Sequence, residues 1–565
     1  MSVHAGWRVM RDYRHEWLRA DLLAGISVGV LAIPSVIAYA ELAGLPPQTG
    51  LVTAVLGMLA YALFGASRQI IVGPDAAIAL LIAAGVGPLA GGDPWRAAGL
   101  ASLLAIMVGV FMLLAALARL GAMADLLSKP ILTGFMQGAA LILIVTQFAK
   151  MGRVELQQTD FLPRVLEFVQ AYPHWHGFTV WMGLFVLVVF GLLRRFTPKW
   201  PAPLIVFAIL IVLDFVVDFR RLGLQMVGPL PVPELGFSLP TIGLHEISLL
   251  LPAAIGIVLL AMPEGILLAR AFAERNHEES DANQELAGIG GANLLAGLFG
   301  GFALGASQSR TTLNDAVGAK SQLAGLVAAL LIGLFLFFLT ALLNHLPAVA
   351  VAALLIHAGL HLLEPRAMRH LFTLDRAAGW FAVLTAMGVL FVGVVPGILV
   401  GILLSLIRVI QSFSRPFDAM LCEVAGRGGY HDVGEAEADG SYCTLPGLIV
   451  YRFYAPLLFA NANYFVERLR ELVAHNPDVR WVVIDAQAMV ETDVTAAEQL
   501  LSFHRELRAK GIHLRFARCN RPLRISFARF GVVEALGQDH FYDHLDEAIE
   551  DFRVESGQPA RHISV

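Results

Sequence analysis

The sequence predicts a polytopic α-helical membrane protein of fourteen spans, built as a seven-plus-seven inverted repeat and followed by a cytosolic α/β domain. Three observations carry this reading. Of the 565 residues, 57% are hydrophobic and 15% charged, against roughly a quarter charged in an ordinary soluble domain. Apolar segments run almost unbroken from Leu22 to Ile410. Two of them, the third and the tenth, are interrupted alike, and they hold equivalent places in two seven-span halves. With a mean hydropathy of +0.69, the chain has more apolar surface than one soluble core absorbs. The composition excludes a disordered chain, a disulfide scaffold and a nucleic-acid binder driven by basic charge. A net charge of −5 is too small to name a partner.

The spans fall near 22–43, 50–66, 70–88, 98–118, 123–148, 178–194, 202–218, 247–269, 282–300, 303–318, 322–344, 347–362, 377–393 and 394–412. Several are shorter than the ~20 residues a straight crossing needs. The fifth contains Lys129 and Pro130, which kink it or delay its start. Basic residues set the orientation. Arg8, Arg11, Arg14 and Arg19 precede the first span. The even loops hold Arg68, Arg119, Arg194, Arg195, Lys199, Arg270, Arg275, Lys320, Arg366, Arg369 and Arg376, and Arg408 and Arg415 follow the last span. The odd loops hold Arg96, Lys150, Arg153, Arg164, Arg220 and Arg221, several beside acids such as Glu155, Asp160 and Asp218. The bias places both ends inside. The polar start, Met1 to Arg19, and a first apolar segment too long for a signal h-region predict no cleaved leader.

The first interruption is QIIVGPDAAI at 69–78: a β-branched run, Gly-Pro, then a half-helix starting near Asp75. The second is GGFALGASQSRTT at 300–312: glycines, a short extended stretch, then a helix start rich in hydroxyls. Paired interruptions of this kind point to a midplane binding site. Broken backbone is tolerated at that depth only where it is buried or lines a cavity. A packing kink is the plainer alternative for either one alone.

After Pro416 the pattern turns soluble. The Gly-rich, acidic stretch from Glu423 to Tyr442 reads as a linker or mobile loop. Strands are expected at 448–454, Trp481–Asp485 and His513–Ala517, with helices at 462–474, 496–509, 521–530 and 545–552. Cys422, Cys443 and Cys519 all lie here, odd in number and without a CxxC pair, and read as reduced thiols.

These residues resemble the sulfate permease (SulP) family of anion transporters. AIPSVIAYA at 32–40 leading to AGLPPQTGL at 43–51 resembles that family's signature, P-Q-x-x-A-Y-A-x-x-A-G-L-P-P-x-x-G-L. Gly73 to Ala77 resembles its third-span motif, and Ser309-Arg310-Thr311 its tenth-span Ser-Arg-Ser/Thr. FANA at 459–462 and the Asp485 to Asp493-Val494-Thr495 spacing resemble a STAS domain. The likeness is closest to mycobacterial-type sulfate permeases. It implies core and gate domains, an elevator-like motion and a homodimer in the bacterial inner membrane. It also implies a cytosolic segment (1–20), a transmembrane anion-transport domain (21–415), a linker (416–445), the STAS domain (446–555) and a tail (556–565). One departure is Ser35, where the family commonly has a substrate-facing Gln.

A desolvated anion needs compensation. Two facing half-helix N-termini supply it, each with free N–H groups and roughly half a positive charge. The anion is therefore expected between Asp75, Ala76 and Ala77 and the Ser307, Gln308, Ser309 and Arg310 turn, with Ser35 and Tyr39 closing the pocket. Arg310 either attracts the substrate or anchors the cytosolic side. Asp75 either caps its helix or takes a proton as the anion enters. Glu264, in AMPEGI at 261–266, is an acid in an apolar span broken by Pro263, and is expected to carry the coupling proton unless it pairs with a basic residue. His345 and His357 read as span-end residues.

Sulfate with H+ is the leading substrate expectation; bicarbonate with Na+, a dicarboxylate, an anion exchanger or channel, and a membrane-anchored sensor are alternatives. No metal cluster, no cofactor, no nucleotide motif and no nucleophile–base set is expected, so neither is an enzyme. Membrane lipid surrounds the spans, and the partner of the STAS domain is not identified. Where anti-sigma antagonists carry a phosphorylated Ser after the Asp, this chain has Val494 and then Thr495, which favours a scaffolding or regulatory role over a phospho-switch.

Overall fold

The computed structural model describes residues 13–122, 128–154, 156, 158, 161–197, 201–228, 243–423, 429–434 and 445–557. Expectations placed on Arg8, Arg11, Glu155, Asp160, Lys199, Cys443, most of the 423–442 stretch and the end of the tail lie outside them. The chain divides into two compact units, Met1–Ser405 and Leu406–Val565.

Apolar length makes the helices of the first unit, and glycine, proline and caps end them. Helices α1 (Leu18–Leu42) and α2 (Pro47–Phe64) are joined by a tight turn. Gly44 holds φ of 74° there, a left-handed conformation that favours glycine, and Pro47 opens α2 at its first position, where a missing N–H costs nothing. Strand β1 (Val72–Gly73) precedes α3 (Ala76–Ala90), and α4 (Pro94–Leu117) follows. Then come α5 (Lys129–Met151), the amphipathic α6 (Phe161–Gln170), α7 (Gly177–Phe196) and α8 (Ala202–Val217). The second half runs through α9 (Leu244–Asn276), α10 (Ala282–Leu298), strand β2 (Gly305–Ala306), α11 (Gln308–Val317) and α12 (Leu323–Leu334). It ends with α13 (Ala348–Leu362), α14 (Pro365–Leu374), α15 (Arg376–Phe391) and α16 (Val394–Ser414).

Each of the expected spans holds a helix, though not each is long. Among the described residues nine helical stretches are long and apolar enough to cross a membrane, and Ala76–Ala90, Ala202–Val217 and Arg376–Phe391 are shorter apolar helices. The fifth span starts late, at Lys129, with Pro130 in its first turn. The break expected at Pro263 is absent: α9 is continuous over 33 residues with Pro252 and Pro263 inside it. In an apolar surround a lost i→i−4 bond is cheaper than a severed helix, whose ends would expose several backbone groups.

The helices pack as two groups. In one, α1, α2, α4, α9, α10, α11 and α12 pack on each other, with α3 against α4 and α9. In the other, α5 packs on α13 and α15, and α7 on α8 and α13. Helix α13 also touches α1. Buried polar ties join the two sequence halves. Asp21 accepts the Lys320 and Ser321 N–H groups and the Ser321 hydroxyl. Tyr61 donates to Glu285, both side chains being buried.

The second unit is a six-stranded sheet in the order β4-β3-β5-β6-β7-β8. Strands β3 (Asp418–Glu423) and β4 (Tyr430–Asp432) are antiparallel additions to β5 (Leu448–Phe453). They lie inside the stretch expected to be linker. Ala419 and Leu421 alternate inward there, a period-2 signal hidden by its shortness and the glycines after it. Strands β5, β6 (Trp481–Asp485), β7 (His513–Ala517) and β8 (Phe541–Tyr542) are parallel. Their crossovers are α17 (Ala462–His475), α18 (Val494–Ala509), and α19 (Arg521–Arg529) with the short α20 (Val532–Leu536). Helix α21 (Leu545–Ser556) covers the other face through Leu545, Ala548, Ile549 and Phe552. All five β6 residues are buried, as a strand covered on both faces requires. At its end buried Asp485 is held by Arg452, at 2.5 Å, and by both ends of the Arg518 guanidinium fork.

Cys519 is a free thiol. Burial pushes the Cys519 thiol up to about 12, with Asp485 adding to the rise and Arg524 opposing it. Near pH 8 about one such thiol in ten thousand is thiolate. Maleimide labelling of Cys519 in the folded protein should therefore run at least about a hundredfold slower than in urea. Equal rates would show that the packing around it is open.

Candidate functional site

Two strands of two residues each hold the site together. Val72 pairs with Ala306 and Gly73 with Gly305, antiparallel. The Ser307 N–H donates to the Ile71 carbonyl at 2.9 Å, extending the ladder by one bond. Backbone this deep cannot turn to water, so side chains must satisfy the rest. Asn293 on α10 accepts the Leu304 N–H at 2.9 Å and donates to the Leu304 carbonyl at 3.0 Å. Thr53 accepts the Phe302 N–H, Thr311 the Ile71 N–H, and Asn314 donates to the Gln69 carbonyl. Gln322 donates to the Ser67 and Ile70 carbonyls. Each such bond left unmade in a buried place costs about 1–3 kcal/mol, so together they fix the broken segments in one geometry.

Glycines allow the close approach. A Cβ on Gly305 would lie 2.8 Å from Ile78, and one on Gly57 2.6 Å from Leu304. A Cβ on Gly73 would lie 3.1 Å from Arg310 Nη2. The guanidinium thus rests on the bare β1 backbone.

The two helix starts differ. Asp75 caps α3, its Oδ1 accepting the Ala77 N–H at 2.9 Å. Ser307 makes no side-chain cap on α11, although its carbonyl accepts the Thr311 N–H. The first N–H groups of α11 therefore keep their donors for something else. Ala76, Ala77 and Ser307 are buried, while Gln308 and Ser309 are exposed. Helix α11 is thus open at its first turn.

Arg310 is 2% exposed and reaches back across the pair, Nη2 donating to the Pro74 carbonyl at 2.7 Å. Its Nε and Nη1 are buried with no hydrogen-bond partner among the described residues. A guanidinium so placed is not a surface anchor. Tyr39 and Asp75 lie within its electrostatic reach, and Glu264 within that of Asp75. Gly265, next to Glu264, packs beside β2: a Cβ there would be 3.8 Å from Ala306 Cβ. Ser35 stands one turn before Tyr39, on the same face of α1. Its hydroxyl donates to the Ala32 carbonyl at 2.9 Å, so its proton is occupied within the helix.

The structure therefore gathers Tyr39, Asp75, Ala76, Ala77, Ser307 and Arg310 at one junction of α1, α3 and α11, with Glu264 alongside. Sequence reasoning missed Thr53, Asn293 and Thr311, which bind the broken backbone rather than a solute. Their signal was present: polar side chains inside apolar or glycine-rich stretches.

Comparison with known proteins agrees with this architecture. The sulfate permease family model matches residues 18–385, and the STAS domain model residues 443–548. A probable sulfate transporter of Mycobacterium tuberculosis is 36% identical over 554 residues, spanning 97% of this chain and 98% of its own. Sulfate transporter 4.1 of Arabidopsis thaliana, chloroplastic, is 30% identical over 566 residues, spanning 96% and 82%. Among solved structures, the murine SLC26A9 anion transporter in its inward-facing state superposes with a TM-score of 0.88 at 19% identity, over 98% of this chain and 94% of its own. The transmembrane domain of the cyanobacterium bicarbonate transporter BicA does so with a TM-score of 0.58 at 21% identity, over 70% and 98%. The chain is a multi-pass membrane protein with a carboxyl-terminal STAS domain and belongs to the sulfate permease family.

Proposed function

We propose that this protein is a secondary transporter that moves sulfate across the bacterial inner membrane together with protons. In this reading both termini are cytoplasmic, the protein is a homodimer, and the helix group bearing the two breaks moves, elevator-like, against the other. The observation that carries the reading is Arg310: a buried guanidinium with two nitrogens that have no hydrogen-bond partner among the described residues, beside an uncapped helix start. Unpaired buried donors of this kind call for an anion.

Charge accounting favours a doubly charged oxyanion with a proton. The two helix starts contribute together about one positive charge and Arg310 another. An ionised Asp75 removes one, leaving about +1; with a proton on Asp75, and its neighbour Glu264 neutral as well, the balance is about +2, which matches sulfate. The relatives' names point the same way, since those with high coverage are sulfate transporters. In this reading Ser309, Gln308 and the first N–H groups of α11 face the anion, Ala76 and Ala77 oppose them, Tyr39 and Ser35 close the pocket, and Glu264 carries the coupling proton.

The test is labelled sulfate uptake into proteoliposomes with an inward proton gradient, challenged by bicarbonate, fumarate, nitrate and chloride. Sulfate should saturate and resist the four competitors; absence of sulfate uptake, with bicarbonate uptake that needs Na+ or with fumarate uptake, would replace the substrate. Arg310→Ala should lower uptake roughly tenfold or more, since it removes a charge-assisted partner worth about 1.5–3 kcal/mol, and Arg310→Lys should recover only part of it. Wild-type rates in Arg310→Ala would remove Arg310 from the site. Glu264→Gln should keep sulfate exchange at equal pH yet lose the stimulation by a proton gradient. An unchanged response to the gradient would assign coupling elsewhere.

A further inference from the structure

A second cluster of ionisable groups lies away from the anion site, on the seam between α7 and α13. Arg194, near the end of α7, donates from Nη1 to Nδ1 of His361 at 2.6 Å. His361 Nε2 lies 3.3 Å from Nε2 of His357, one turn earlier on α13. The two imidazoles meet edge to face with centroids 4.7 Å apart. His357 also rests against Phe190 of α7, with ring centroids 5.5 Å apart, and Phe190 is fully buried.

The donors fix the protons. A guanidinium only donates, so Nδ1 of His361 must offer a lone pair and its Nε2 must carry the hydrogen. That hydrogen points at His357 Nε2, which must then be a lone pair as well. The chain from Arg194 through His361 to His357 closes only when both imidazoles are neutral. A proton on either one turns an acceptor into a donor and sets N–H against N–H, with cation facing cation.

Among the described residues no carboxylate is one of the charged groups that act on the pair. The charged groups that reach His357 are His361 and Arg194, and the one that reaches His361 is Arg194. Helix α13 packs on α1, α5 and α7. On α1 the ionisable residues Arg19, Asp21, Tyr39 and Glu41 lie near its ends; on α5, Lys129 and Lys150 do; on α7, Arg195 adjoins Arg194. Helix α14, next in the chain, adds Arg366, Arg369 and His370, with Glu364 at its N-cap, all exposed. His361 and Arg194 are exposed as well, so protons can arrive from that end, while His357 is half-buried behind them.

We propose that Arg194, His361 and His357 form a proton-sensitive tie that fastens α13 to α7 while the imidazoles are neutral and lets go when either takes a proton. Helix α13 also packs on α1, which carries Ser35 and Tyr39. Release of the tie therefore loosens a helix that borders the one lining the anion site. The device stands apart from the coupling proposed for Glu264 and does not depend on it.

The test is hydrogen exchange on the full-length protein in nanodiscs, followed on the backbone of residues 357–363 and corrected for intrinsic rates. Between about pH 7.5 and about pH 5.5 wild-type protection should fall roughly tenfold there. In His361→Asn the amide oxygen takes the place of Nδ1 and accepts from Arg194 at every pH, so the fall should shrink to less than about twofold. His357→Gln, which leaves an acceptor for His361, should keep wild-type protection near pH 7.5 and serves as the check that the seam still folds. Wild-type protection that stays level across the range, or a His361→Asn protein that loses protection as wild type does, overturns the proposal.

Discussion

A backbone that is neither helix nor water-exposed must find its hydrogen bonds inside the protein, and this constraint governs the centre of the molecule. The stretches around Val72–Gly73 and Gly305–Ala306 meet it by pairing with each other. Whatever the ladder leaves over is taken by Thr53, Asn293, Thr311, Asn314 and Gln322. One consequence is geometric. Two helices begin in mid-protein, from one small sheet, and so their positive ends are held together by the same bonds that satisfy the strands. The second consequence is electrostatic. Arg310 is committed to the Pro74 carbonyl by one nitrogen, and the other two, buried, have no hydrogen-bond partner among the described residues. Asp75 lies within its electrostatic reach but makes no hydrogen bond to these nitrogens among the described residues, and in the proposed function an arriving anion supplies that partner.

Much of this was legible in the residues. Gly73-Pro74-Asp75 announced a break, a cap and a helix start, and the cap is there at 2.9 Å. The β-branched run before it announced a strand, and the glycine-rich approach to Ser307 announced its counterpart. These features are local: proline, glycine and capping residues act on their own neighbours in the chain. In the STAS unit the run WVVID announced a strand buried on both faces, and its limits match residue for residue.

What escaped the sequence depends on distant partners. Nothing near Asn293 says that it will bond to Leu304 in both directions, and nothing near Arg310 says that it will turn back across the pair to Pro74. Pro263 misled for the opposite reason. Its local rule, that proline ends a helix, was overruled by an apolar surround in which ending is the worse option, and α9 runs straight through. Strand β3 was hidden because six residues of alternation beside glycines carry little signal until β5 is known to lie next to them. Ser35 shares a face of α1 with Tyr39 but spends its proton on its own helix, a local bond that competes with any ligand.

In the proposed site two opposed helix starts and the Arg310 guanidinium together neutralise one desolvated dianion. Selenate has the shape and charge of sulfate and an anomalous selenium signal, so the most direct measurement is a crystallographic anomalous map of the protein with selenate bound. The selenium peak should lie between Ala77 and Ser309, with selenate oxygens in hydrogen-bond reach of Arg310 and the first N–H groups of α11. A well-occupied peak far from both helix starts, or one at that junction that persists undiminished in Arg310→Ala, would contradict it.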